Sequence, residues 1–91
     1  MQLVSFDLQH VHDEQDFYRQ FAEKFALDDF GNNLDALWDV LTGGVPLPLR
    51  IVLRHLPQHR AEAGLQRIVD LMQEAETETE GAFSVRACQR L

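Results

Sequence analysis

Three short segments rich in β-branched or alternating apolar residues, Gln2 to Asp7, Leu49 to Leu53 and Ala82 to Ala87, stand far apart in the chain, with helix-patterned sequence between them. That spacing limits the possible folds more than any other feature. Antiparallel strands can be joined by a two-residue turn, whereas parallel neighbours need crossovers of a dozen residues or more, usually helical. The chain therefore reads as α/β: a small three-stranded, mostly parallel sheet packed with three to four helices. Ninety-one residues suit a single domain over 1–91, and 45% apolar with 25% charged residues is the range of a chain that builds one core.

Between the first two strands the pattern predicts two helices. Asp13 is placed to cap the first, Glu14 and Asp16 suit its positive N-terminal end, and Phe17, Phe21 and Phe25 recur every four residues as a core stripe. Asp28 to Asn32 reads as a loop in which Gly31 is free to take a positive φ, and Asn33 is placed to cap the second helix. Gly43-Gly44 ends that helix, and Pro46 and Pro48 hold the next stretch extended. Beyond Pro57 and Gly64, the residues Leu65, Ile68, Val69, Met72 and Ala75 follow the rhythm of an amphipathic helix. Its far side is acidic, from Asp70 through Glu74 to Glu80, and Gly81 is placed to end it.

The helix that opens at Leu34 carries two stripes where packing alone needs one. Steps of about 100° per residue put Leu34, Leu37 and Leu41 on one side and Asp35, Asp39 and Thr42 on another, with Trp38 between them. Asp35 has a local explanation, because a carboxylate in the first turn is favoured by the helix dipole. Asp39 does not: the dipole opposes it one turn later, and Asp35 repels it across i, i+4. A large ring beside two like charges has the composition of a recognition surface, although a solvated helix face accounts for the same acids.

Fifteen acidic against eight basic residues give a net charge of −7, which disfavours nucleic acid and anionic membranes and fits a basic partner. Solubility alone also explains such a charge. The lone Cys88 cannot form an internal disulfide and reads as a buried strand residue, and no basic, apolar leader follows Met1, so a reducing, cytoplasmic compartment is expected. No apolar stretch approaches the roughly 20 residues a membrane span needs. His55 and His59 are interrupted by Pro57 and lack a third ligand, and His10 with His12 is similar, so no metal and no cofactor is expected. The absence of GxSxG, Walker, CxxC and HExxH patterns argues against an enzyme, and Asp35 with Asp39 would need a cleft to act as acid and base.

The run Phe30-Gly31, Asn33-Leu34-Asp35-Ala36-Leu37-Trp38-Asp39 and Leu41-Thr42-Gly43 resembles the YG-x-N-LDALWD-x-LTG signature of the barstar family, intracellular inhibitors of the bacterial ribonuclease barnase. The rest of the chain matches more weakly, in its order of strands and helices. The resemblance implies a 1:1 complex with a basic, extracellular-type ribonuclease, in which this helix and the loop before it plug the active site. It implies that Asp39 occupies the region of a substrate phosphate, that Asp35 meets a neighbouring donor and that Trp38 packs at the rim. Asp29, Phe30, Gly31, Asn33, Thr42 and Gly43 are then partner-facing, and Glu74 reaches the enzyme from the late helix. Two departures stand out: Asp29 replaces a tyrosine and Gly44 a tryptophan of the family's best-known member, while Phe30 keeps a ring without its hydroxyl. An interaction module of the same fold with a non-nuclease partner is the alternative.

Overall fold

The computed structural model describes residues 2–55 and 63–88. Three strands, β1 (Gln2–Asp7), β2 (Leu49–Arg54) and β3 (Phe83–Cys88), form one sheet in the order β1-β2-β3, with both pairings parallel. Among the described residues there are three α-helices: α1 (Glu14–Phe25), α2 (Leu34–Asp39) and α3 (Ala63–Glu78). The expected α/β class therefore holds, with a fully parallel sheet. A 3-10 turn at Leu8–His10 follows β1. The expected burial of Cys88 and the readings at Pro57 and His59 lie outside the described residues and side chains.

Alternation along the strands decides the two faces of the sheet. Val4, Phe6, Leu49, Ile51, Leu53, Phe83 and Val85 point to the helices and join Phe17, Phe21, Leu37, Leu41, Ile68 and Met72 in one apolar core. Of the expected Phe stripe of α1, Phe17 and Phe21 lie in this core and Phe25 is half-buried against it: Phe6 and Phe17 centroids are 4.9 Å apart, and those of Phe21 and Phe25 are 4.7 Å apart. Asp13 caps α1 by accepting a 2.8 Å hydrogen bond from Asp16 N. On α3 the expected residues Leu65, Ile68, Val69, Met72 and Ala75 are all buried. Gly81, at φ 87°, turns the chain from α3 into β3, and its N–H closes on Glu76 O at 2.9 Å.

Gly64 sets how closely α3 approaches α1. A Cβ there would lie 2.7 Å from Glu14 Cβ, inside contact distance. The approach lets Glu14 accept hydrogen bonds from Tyr18 Oη at 2.6 Å and from Arg67 Nη2 at 3.1 Å, tying the two helices together. Burial and the adjacent Glu14 carboxylate push the Tyr18 phenol far above its usual range, so it stays a donor.

Two carboxylates give the fold an acid limit. Asp7 lies below its ordinary value of 3.8, chiefly because Gln9 N–H donates to it, with His55 and His10 adding to the effect. Asp16 is lowered chiefly by the N–H of His12 and by Arg19. Both bind protons more weakly folded than unfolded, so their stabilisation is present above 3.8 and is lost as the pH falls through their depressed folded values. Urea midpoints stepped downward in pH should fall in that window, and Asp7→Asn with Asp16→Asn should flatten the decline. An unchanged acid limb in the double variant would remove these two groups as its cause.

Candidate functional site

The loop after α1 and the helix after it form one exposed face. Ala26, in the left-handed region at φ 54°, ends α1, and Leu27 N–H bonds back to Ala22 O at 2.9 Å. Phe30 then folds back on α1, its ring centroid 5.3 Å from Phe21 and 6.0 Å from Tyr18. The aromatic core thus holds the loop.

The positive φ expected at Gly31 falls instead on Asn32, at 57°. Asparagine tolerates this conformation because its short side chain hydrogen-bonds locally. Gly31 serves a different purpose, since a Cβ there would come within 3.2 Å of Ala36 Cβ. The loop can lie against α2 because that side chain is missing. Asn33 caps α2 as predicted: its Oδ1 accepts from Ala36 N at 2.8 Å, and its Nδ2 donates to Gly31 O at 3.2 Å. Asn33→Ala should cost about 1 kcal/mol of unfolding free energy, the usual loss for such a cap, measured by chemical denaturation. A change below a few tenths would show that the cap bond contributes nothing.

The helix expected to run from Leu34 to Gly43-Gly44 is interrupted. Regular α-helix stops at Asp39, and Val40–Gly44 forms a wider π-type turn in which Gly43 has extended φ (176°). Thr42 Oγ1 donates to Trp38 O at 2.8 Å across the junction. Short π insertions are frequent at functional sites. One consequence is electrostatic: Asp39 stands at the negative, carboxyl end of α2.

Leu37 and Leu41 are fully buried and Leu34 is half-buried, as their stripe predicts. Asp35 and Asp39 are exposed, with Trp38 half-buried between them. A pocket of about 320 Å³ opens between loop and helix, with Leu27, Phe30, Ala36 and Val40 as its apolar lining and Asp28, Asp29 and Asp39 among its walls. It brings together four of the predicted residues, Asp29, Phe30, Gly31 and Asp39. Asn33, Asp35, Trp38, Thr42, Gly43 and Glu74 do not line it. Glu74 lies exposed on α3, and Gly44 is exposed after α2. Sequence reasoning missed Leu27, Asp28, Ala36 and Val40; the motif itself contains Ala36, whose small size keeps the pocket open.

Among the described residues, Asp28, Asp29, Asp35, Asp39 and Glu74 form no ion pair. This face can present several carboxylates, on a short helix and a loop pinned to the core, to an incoming cation. Among the described residues no group of three His, Cys, Asp or Glu side chains could hold a metal ion, and no helix is long and apolar enough to cross a membrane.

Comparison with known proteins bears on the same segment. The Barstar family model, described as barstar (barnase inhibitor), matches residues 1–88. A Bacillus subtilis (strain 168) protein named "Putative ribonuclease inhibitor YrdF" is 40% identical over 60 residues, which is 64% of this chain and 66% of that protein. The alignment spans slightly less than two thirds of that relative. With a family match over nearly its whole length and the parallel α/β fold just described, this chain belongs to the barstar family.

Proposed function

We propose that this chain is a protein inhibitor of a barnase-like ribonuclease, acting as a 1:1 plug: α2 and the loop before it enter the enzyme's basic active site. The observation that carries the reading is the cluster of Asp28, Asp29 and Asp39 around an apolar pocket, on a face with no internal ion pairs among the described residues. Family membership and the name of the Bacillus relative point to inhibition of a ribonuclease rather than to catalysis.

The chemistry is mimicry of a phosphate. A ribonuclease concentrates Arg and Lys where it binds the phosphodiester and stabilises its transition state. A carboxylate at Asp39 accepts the same charge-assisted hydrogen bonds while offering no bond to cleave. Asp35 takes a neighbouring donor, Trp38 packs at the rim, and Glu74 adds a more distant charge from α3. Inhibitors of this kind act in the cytoplasm, on an enzyme destined for export.

The test is titration of the purified protein into a panel of barnase-like ribonucleases, with RNA cleavage as readout, at low and moderate salt. Activity should fall to its floor at one inhibitor per enzyme, and added salt should weaken inhibition by slowing association. Full activity across the panel would overturn the reading. The replacement of two family aromatics by Asp29 and Gly44 favours a second reading, a binding module for a non-nuclease partner. Pull-down from the source cell that returns no nuclease would support that alternative.

A further inference from the structure

The side of the sheet away from the helices is unlike the rest of the molecule. By register it presents Leu3, Ser5 and Asp7 of β1, Arg50, Val52 and Arg54 of β2, and Ser84 and Arg86 of β3. Among the described residues, none of its apolar side chains joins the core: Leu3 is 64% exposed, and Val52 is half-buried outside the cluster. Three of the chain's eight basic residues stand here against one acid, Asp7, so the remainder of the chain is more acidic than its net charge of −7. Arg50 Nε donates to Ser84 Oγ at 3.1 Å, whereas Arg54 Nε is buried without a hydrogen-bond partner among the described residues. Arg86 Nη1 donates to its neighbour's carbonyl, Val85 O, at 2.8 Å and lies 3.5 Å from Glu76, with half of its side chain exposed.

We propose that this arginine-bearing face docks the acidic α2 face of a second copy of the chain, head to tail. Charge selects the occupant. Two copies meeting sheet to sheet would set arginines against arginines, and a nucleic acid would have to approach a molecule whose overall charge repels it. The exposed Asp35 and Asp39, by contrast, lie on the helical layer, on the other side of the core, and supply the complementary sign. A sheet of three six-residue strands covers only about 20 by 14 Å, so the contact belongs to the small, transient class and depends on salt. It is heterologous, because each copy contributes a different surface, and so it extends to short open chains instead of closing as a symmetric dimer. Where the proposed inhibitor reading also holds, the contact covers the face offered to the nuclease, so self-association and inhibition exclude each other.

Sedimentation velocity tests this without any nuclease. At low ionic strength the sedimentation coefficient should rise with protein concentration, and moderate salt should return it to the monomer value. Arg54→Gln with Arg86→Gln removes the basic face, and Asp35→Asn with Asp39→Asn removes the acidic one. Each double variant alone should stay monomeric. Mixed one to one, they should form a dimer that grows no further, since each retains one working face. Arg86→Gln alone, at an exposed strand edge, should also weaken association, and Arg54→Lys with Arg86→Lys should keep it. A wild type that stays monomeric to millimolar concentration at low salt would overturn the inference. So would a mixture that stays monomeric, or self-association absent while an RNA oligonucleotide binds the arginine face. Inhibition of a ribonuclease by a strictly monomeric protein would reject this inference and leave the proposed function standing.

Discussion

Asp39→Ala is expected to weaken inhibition of a barnase-like ribonuclease by about 2–5 kcal/mol, or roughly 30-fold to several thousand-fold, a range for which barnase–barstar is itself the reference system. The cost comes less from losing one attraction than from leaving the enzyme's clustered cations buried without a counter-charge. Stability should move the other way. Asp39 is exposed, stands at the negative end of α2 and faces Asp35 across i, i+4, so its removal should raise unfolding free energy by about 0.3 kcal/mol or more. Asp35→Ala provides the contrast: it removes a first-turn carboxylate favoured by the dipole, so affinity and stability should fall together. Inhibition constants and denaturation midpoints for both variants check the pattern. If Asp39→Ala inhibited as well as the wild type, phosphate mimicry by this residue would be wrong.

Phe21→Ala should cost about 3–5 kcal/mol of stability, the range for emptying a buried aromatic site. Domains of this class have only about 5–15 kcal/mol in total, so a large fraction of the molecules could unfold at 37 °C. Phe21 is fully buried and adjoins four other rings, Phe6, Phe17, Phe25 and Phe30, at centroid distances of 4.7 to 6.1 Å. The effect should reach the site, because Phe30 holds the loop that carries Asp28 and Asp29 against α1. Residual inhibition measured on the folded fraction should therefore fall as well. Phe21→Leu fills much of the same space and should lose less. Equilibrium denaturation measures both, and a loss below about 1 kcal/mol for Phe21→Ala would mean that the cluster does not carry the core.

Much of this was legible in the residues because the signals are local. Asp13 and Asn33 were readable as caps from their type and place, and both make the cap bond. Phe17, Phe21 and, on α3, Leu65, Ile68, Val69, Met72 and Ala75 are readable from periodicity, and all are buried. The sequence points to Gly31 for the positive φ because glycine is the freest residue, yet Asn32 adopts it and Gly31 allows the close approach to Ala36. Nothing within five residues of sequence distinguishes those uses. The shortening of α2 to Asp39 was not readable either, since the apolar stripe continues through Leu41 in both helix types.

The pocket shows the same division. Asp29, Phe30, Gly31 and Asp39 are four of the ten partner-facing residues that the resemblance implies, whereas Asp28, Leu27 and Val40 enter the pocket only because Phe30 docks on α1 and bends the loop over α2.

By itself the sequence determined the class of fold, the caps, the core stripes and an acidic helix whose second aspartate local energetics disfavour. Each depends on residues a few positions apart, where propensity, periodicity and charge spacing act. Tertiary structure alone decided the order of the strands, the contact of Gly31 with Ala36, the pocket and the separation of an arginine face from an acidic one. Those depend on which surfaces meet across the core, and residues as distant as Phe21 and Phe30, or Arg50 and Ser84, become neighbours only once the chain has closed on itself.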